Sequence, residues 1–284
     1  MSNTSTDEGR PIEHRWNKHA TLNDNVADQV RFEAAQPGLR NTPSLFKLLR
    51  VLAKWRADLL GYKVWDECQG RIAAGPFAGM RYFNRAVEGG ATPRLLGNYE
   101  AELQPFIEGF IAKSFERIAV AGCAEGYYAI GFALRCPRSI VSAFDTNEKA
   151  RDRCKELSQM NGVSDRVTID GGFSPTQLKH PTRTFLFCDI DGAEAAMMDP
   201  DRFAVLRSIP ALIVECHDYL NAGITERLTA QFSQSHDVQL VENSFVPPVF
   251  PASLKRLGHL DQLLALWEWR EYPTPWLVMT KRLT

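Results

Sequence analysis

Apolar residues run along this chain in two rhythms. From Pro43 the segment LFKLLRVLAKWRADLLGYKVW repeats Leu, Val and Trp at three- and four-residue spacing, which predicts an amphipathic helix with its apolar stripe turned to the domain. RIAAGPFAGMRYF then predicts two short strands around a Gly/Pro turn, and YEAELQPFIEGFIAK a second helix. Further on, short and nearly continuous apolar runs predict strands at 115–121, 139–145, 166–170, 184–190, 210–216, 237–242 and 275–281. Helical patterns fill the gaps, among them KARDRCKELSQMNG with Gly162 as its stop and SLKRLGHLDQLLALWEWR before the last strand. Strands alternating with helices predict an α/β, doubly wound, mostly parallel seven-stranded sheet of Rossmann-like type, covered by helices on both faces.

Three segments follow from the same pattern. Residues 1–40 are polar with little periodicity and are expected to be a mobile tail or a loosely docked helix. Residues 41–110 form a helical extension over the pocket, and 111–284 the catalytic core. A chain of 284 residues, 44% hydrophobic, can bury one such core with material left for the extension. Its 33 basic and 34 acidic residues leave no sequence-wide field for nucleic acid or an anionic membrane, so a small-molecule substrate is expected. Six scattered cysteines without CxxC pairs look like reduced core thiols. With neither a leader-like N-terminus nor an apolar run of membrane-spanning length, the expected location is the cytoplasm; a homodimer is left open.

The first core strand runs into AVAGCAEGYYAIGFAL, which places Gly122 and Gly126 between a buried strand and a helix. Gly122 lets the chain turn, and Gly126 is expected to let backbone approach a ligand across the helix N-terminus. The spacing is G-x-x-x-G, not the G-x-G-x-x-G that seats a pyrophosphate. That favours a cofactor without phosphates, such as S-adenosyl-L-methionine, over NAD or FAD. Asp145 ends the next strand 23 residues after Gly122, where a carboxylate can accept both ribose hydroxyls; the alternative is that it caps the helix starting near Asn147. IDGGFS adds Gly172 and Phe173 as backbone and stacking groups for adenine, with a plain tight turn as the alternative. Cys123 and Thr146 fall in the same loops and join the expected cofactor contacts.

CDIDGAE ends the fourth strand and VECHD the fifth, so Asp189, Asp191, Glu194, Glu215, His217 and Asp218 should crowd one rim. So many ionisable groups at the end of buried runs need one another, a cation or a ligand. In one mechanism His217 or Asp191 is the general base on an acceptor hydroxyl, with Asp189 and Glu215 beside it. In the less favoured one Asp189, Asp191, Glu215 and His217 hold a divalent cation that lowers the hydroxyl's pKa. Glu194 could instead serve the dipole of the next helix. His14, His19, His180, His236 and His259 lie in polar or loop contexts and are taken as bystanders.

GCAEGYYAIGFAL, CDIDGAE and IVECHD, with GPFAGMRY and LLGNYEAEL upstream, resemble the FkbM-like branch of class I S-adenosylmethionine-dependent methyltransferases over about residues 70 to 280. The resemblance implies a core whose seventh strand inserts antiparallel, S-adenosylmethionine as cofactor, and O-methylation of a sugar or natural-product hydroxyl. It also points to Tyr99, Glu100 and Tyr127 as pocket residues. Two positions depart from the family pattern. The acid usual just before the first glycine is absent, Val120 and Ala121 standing there, and the family's glutamate between Asp189 and Gly192 is Asp191. The cofactor's amino-acid end is then expected to be held by other groups, Glu100 or Glu125, or to be held weakly. Two other readings stay open: non-methyl chemistry on the same cofactor (alkyl transfer or cyclisation of its methionine moiety), and a binding module that keeps the fold alone.

Overall fold

Seven strands, β1 (Arg117–Ala121), β2 (Ile140–Phe144), β3 (Val167–Asp170), β4 (Thr184–Cys188), β5 (Ala211–Glu215), β6 (His236–Val241) and β7 (Trp276–Lys281), make one sheet in the order β3-β2-β1-β4-β5-β7-β6. The computed structural model describes residues 22–38, 41–246, 248 and 250–282. β1 to β5 run parallel, and β7 inserts antiparallel between β5 and β6. The expected Rossmann-like class and the antiparallel seventh strand are both present. Ala121 sits opposite Phe144 and Cys188, and Cys188 opposite Val214, so the carboxyl ends of β2, β1, β4 and β5 finish nearly level. The residues just after those ends therefore share one rim.

Strand alternation divides the core between the two faces. Phe185, Phe187, Ile213 and Val278 pack on one face with Leu60, Val64, Ile107, Ile130 and Phe132; Leu186, Leu212, Val214 and Met279 pack on the other with Leu206, Leu228 and Phe232. The helices, in order, are α1 (Leu22–Ala34), α2 (Thr42–Glu67), α3 (Ala91–Leu96), α4 (Gln104–Lys113), α5 (Tyr127–Arg135), α6 (Glu148–Met160), α7 (Glu194–Met197), α8 (Ile224–Phe232), α9 (Ala252–Lys255) and α10 (His259–Leu266). Asn41 caps α2 by accepting from the Ser44 N–H at 2.9 Å, and Pro43 in the first turn needs no partner for the N–H it lacks.

Several elements depart from their expected form. Part of the polar segment 1–40 is a helix, α1, which buries Val26, Gln29 and Glu33; residues 1–21 lie outside the described residues. The apolar stripe of α2 is buried only in its C-terminal half, at Ala57, Leu60 and Val64, while Leu45, Phe46, Leu49 and Leu52 are exposed. The predicted hairpin at 71–83 is a single bridge between Arg71 and Arg81, with Gly75 and Gly79, both at positive φ, turning the chain between them. SLKRLGHLDQLLALWEWR is two short helices, α9 and α10, and Trp267–Arg270 leaves the helical path. The chain cannot continue as a helix into Pro273 and Pro275, and Trp269 turns it with φ 72°.

Gly122 has φ +75°, and a Cβ there would lie 1.4 Å from the Asp189 carbonyl oxygen. Gly122→Ala is expected to cost at least about 3 kcal/mol of stability, from left-handed strain plus the clash, and thermal melting checks it.

Candidate functional site

The rim opens into a cavity of about 720 Å³ at the carboxyl ends of the parallel strands, within the size range of small-molecule sites. Gly122 and Ala124 reach it from the loop after β1, Asp145 and Thr146 after β2, and Gly172 and Phe173 after β3. Asp189 and Asp191 come from the end of β4, Glu215 and His217 from the end of β5. Residues before the core, Glu88, Arg94 and Tyr99, close one side, and Glu268–Tyr272 closes another.

On the side of the glycine loop, Asp145 accepts from the Ala124 N–H and the Asn147 N–H, each at 2.8 Å, tying that loop to the one after β2. Capping of α6 falls to Asn147, whose side chain accepts from the Lys149 N–H at 3.0 Å, so the capping alternative for Asp145 does not hold. Phe173 meets Phe144 edge-on at 5.4 Å, which makes an apolar wall beside it.

On the opposite side stands His217, 4% exposed. Its Nδ1 lies 2.9 Å from Oε1 of Glu194, a fully buried carboxylate that opens α7 and also accepts from the Ile190 N–H at 3.0 Å. That contact fixes the ring and leaves Nε2 toward Asp189 and Asp191, each at 3.7 Å, and Glu215 at 3.8 Å. Asp218, also expected on this rim, accepts instead from the N–H and hydroxyl of Thr225.

Five residues expected at the cofactor lie elsewhere. Gly126, φ +99°, does not line the cavity; a Cβ there would meet Cys154 Sγ at 2.8 Å, so it is needed for the close packing of α5 on α6. Cys123 is buried with its thiol against Cys154, and Tyr127 packs edge-on to Phe77 and Tyr99 in the aromatic core. Glu125 is sealed off, accepting from the Tyr82 hydroxyl and the Val87 N–H with Arg94 at 3.8 Å. Glu100 accepts from the Tyr128 hydroxyl and from Arg270. Tyr99 does line the cavity, its ring under the Arg94 guanidinium at 4.0 Å. His236 is no loop residue: it is fully buried at the start of β6, with Nε2 2.8 Å from the Ile209 carbonyl.

No protein-family profile and no curated protein matches this sequence. Among solved structures it is similar to a putative O-methyltransferase from Klebsiella pneumoniae, at 15% identity over 65% of this chain and 80% of that one, TM-score 0.43. It is likewise similar to an O-methyltransferase from Bacillus cereus in complex with SAH, at 14% identity over 62% and 79%, TM-score 0.43. A third is the O-methyltransferase TomG from Streptomyces achromogenes in complex with SAM, at 12% identity over 80% and 90%, TM-score 0.44. Scores of this size assign no chemistry.

The residue that organises the far side of the cavity is Arg270, which local pattern had placed at a helix end. It donates to Glu215 and Thr274, to Glu100 at 2.8 Å and to Glu268 at 2.8 Å. Burial pushes Glu215 up, but Arg270 first and His217 next outweigh it and hold the carboxyl below its usual range. Asp189 goes the other way: burial, then the charge of Glu215 beside it, pushes its pKa well up. Of the pair, Asp189 holds its proton the more tightly and Glu215 its charge. For His217 burial works downward, but the hydrogen bond to Glu194 and the charges of Glu215, Glu194 and Asp191 win, and the imidazole is raised above 6.5.

Six non-glycine residues among those described have positive φ, and of these Ala124, Asp191 and Trp269 line the cavity and Glu100 abuts it. Backbone strain is thus gathered where the side chains must be aimed.

Proposed function

We propose that this chain is an S-adenosylmethionine-dependent methyltransferase that methylates a hydroxyl oxygen of a small molecule, with His217 as general base. The observation that carries this reading is the pairing across one cavity of Asp145, tied to the glycine loop, with a histidine whose Nδ1 is held by a buried glutamate. The lining also suits a cationic cofactor, with seven carboxylates against four Lys and Arg side chains. When bound, S-adenosylmethionine supplies a methyl group on a positively charged sulfur. Asp145 binds the ribose hydroxyls, Phe173 flanks the adenine, and the cavity walls exclude water. Nε2 of His217 takes the acceptor's proton as its oxygen attacks, and Glu194 stabilises the imidazolium that results.

The FkbM-like branch is the finer placement that the motifs favour. All six cysteines are free and no described helix is long and apolar enough to cross a membrane, which fits a cytoplasmic home. The acceptor is chosen by the segment before the core and by residues 245–254, of which 247 and 249 lie outside the described residues.

Calorimetric titration with S-adenosylhomocysteine tests the reading. Asp145→Asn should weaken binding roughly ten- to a hundredfold, the worth of charged hydrogen bonds. No heat from the unaltered protein at millimolar ligand would sink it. Turnover releasing methylthioadenosine in place of S-adenosylhomocysteine would point to alkyl transfer or cyclisation.

A second reading has its own observation: Asp189, Asp191 and His217 each offer a ligand atom, all within 4.8 Å of one another. Carboxylate and imidazole donors suit a divalent transition ion such as manganese, which would lower the acceptor hydroxyl's pKa. Of the four ligands expected from sequence, Glu215 is the one taken up by Arg270 and Thr274.

A further inference from the structure

Resting on the cofactor reading, one question is what holds the methionine end of the molecule. The usual acid before the first glycine is missing, and Val120 and Ala121 are both buried in the core. The two substitutes suggested by sequence are also consumed, Glu125 by Tyr82, Val87 and Arg94, and Glu100 by Tyr128 and Arg270. Glu268 is spent on the Glu100 N–H at 2.7 Å and on Arg270, and Glu271 pairs with Arg50 at 3.9 Å.

We propose that Glu88 binds the α-ammonium group of the cofactor's methionine moiety, replacing the acid absent at Val120 and Ala121. Glu88 lines the cavity, and its carboxylate has no hydrogen bond or ion pair among the described residues. Its backbone, by contrast, is held firmly. The neighbouring Val87 N–H donates to Glu125 in the glycine loop, and Arg94 donates to the carbonyls of Glu88 at 2.7 Å and Gly90 at 3.2 Å. Gly89 and Gly90 lie so close to the carbonyls of Glu268 and Trp267 that a Cβ would stand 3.1 and 2.8 Å away. A carboxylate on an anchored backbone, with its own oxygens free, is preorganised for a ligand.

The charges around it agree. Burial first, then Asp191, Asp145 and Glu125, push Glu88 up to about 7 against the pull of Arg94. A ligand cation would relieve that crowding of carboxylates, and the ammonium lies at the end of the cofactor away from the ribose that Asp145 takes.

The test compares two ligands by calorimetry on the full chain: S-adenosylhomocysteine, which carries the amino-acid end, and methylthioadenosine, which lacks it. Glu88→Gln should weaken S-adenosylhomocysteine at least tenfold and leave methylthioadenosine within twofold of its original affinity. Glu88→Asp should fall between. Unchanged binding of both ligands to Glu88→Gln overturns the proposal, and so does equal weakening of both, which would make Glu88 a support of pocket shape. If methylthioadenosine binds the unaltered protein while Glu88→Gln changes nothing, the cofactor reading stands and only the role of Glu88 falls; if neither ligand binds the unaltered protein, both fall.

Discussion

Arg270→Met should unfold about 10 °C below the unaltered protein, because it strands the buried Glu215 carboxylate and, as pH rises toward about 8, that of Glu100 as well. Glu100 and Glu215 are 1% and 2% exposed, and the guanidinium bonds both. Removing one partner of a buried ion pair costs roughly 3–5 kcal/mol, since the remaining charge is left without water or counter-ion. The loss should depend on pH, and its sign follows from the two glutamates. In the intact protein Glu215 is depressed below 4.5, so its contribution is present above the unfolded pKa and lost as pH falls through the folded value. Without Arg270 both glutamates would titrate above their unfolded values, and protonation would then relieve the folded state as pH falls. The melting deficit of Arg270→Met should therefore be largest near pH 8 and shrink toward pH 5. Burial already lifts Glu100 to about 8 against the opposition of Arg270, so below that pH Glu100 holds its proton and the deficit comes chiefly from Glu215. Arg270→Lys keeps the charge but has three donors for partners spread over Glu100, Glu215, Glu268 and Thr274, and should melt between the two. A pH-independent deficit would mean that packing, not charge, is what Arg270 supplies.

The same residue shows where the sequence stops being readable. The seven strands are legible because parallel strands buried on both faces read as unbroken apolar runs, and each lies within two residues of its expected ends. The shortfall is instructive: Asp145 and Asp189, expected within strands, sit just past them, as His217 does, where leaving the ladder frees them for the rim. Trp267–Arg270 continued an apolar helical rhythm, and nothing local reveals that Glu268 and Arg270 are wanted by Glu100 and Glu215 far away in the chain. Pro273 and Pro275 were the available signal that the helix had ended. The Glu194–His217 contact joins the ends of two different strands, so no spacing rule reaches it. Gly126 illustrates the reverse: a glycine whose spacing suggested a ligand has a packing requirement of its own, set by Cys154 on α6.

If His217 is the general base, His217→Gln should lower kcat by a factor of about 10² to 10⁴ while leaving the affinity for S-adenosylhomocysteine nearly unchanged, since a general base acts on the acceptor's proton and not on the adenosine. The pH profile carries the finer test. A general base must be neutral, and His217 is raised above 6.5, so the rate should climb with pH and reach half its maximum above 6.5. Asp189 and Asp191 titrate in the same cluster, so the measured value belongs to the group. Stability follows the opposite course: a raised histidine stabilises the folded state fully below its unfolded pKa, and that contribution is lost as pH rises through the folded one. Glu194→Gln separates base from bystander. It removes the negative charge that helps lift His217 and weakens the hydrogen bond to a neutral one, so the acid limb should shift toward lower pH while kcat at high pH drops as the ring is held less firmly. If the divalent ion were the activator instead, EDTA would abolish turnover, manganese would restore it, and Asp191→Asn would lose as much as His217→Gln. If His217 is the base, turnover survives EDTA and the pH limb moves with Glu194, because the proton then leaves the acceptor through the one ring nitrogen that Glu194 keeps turned toward the cavity.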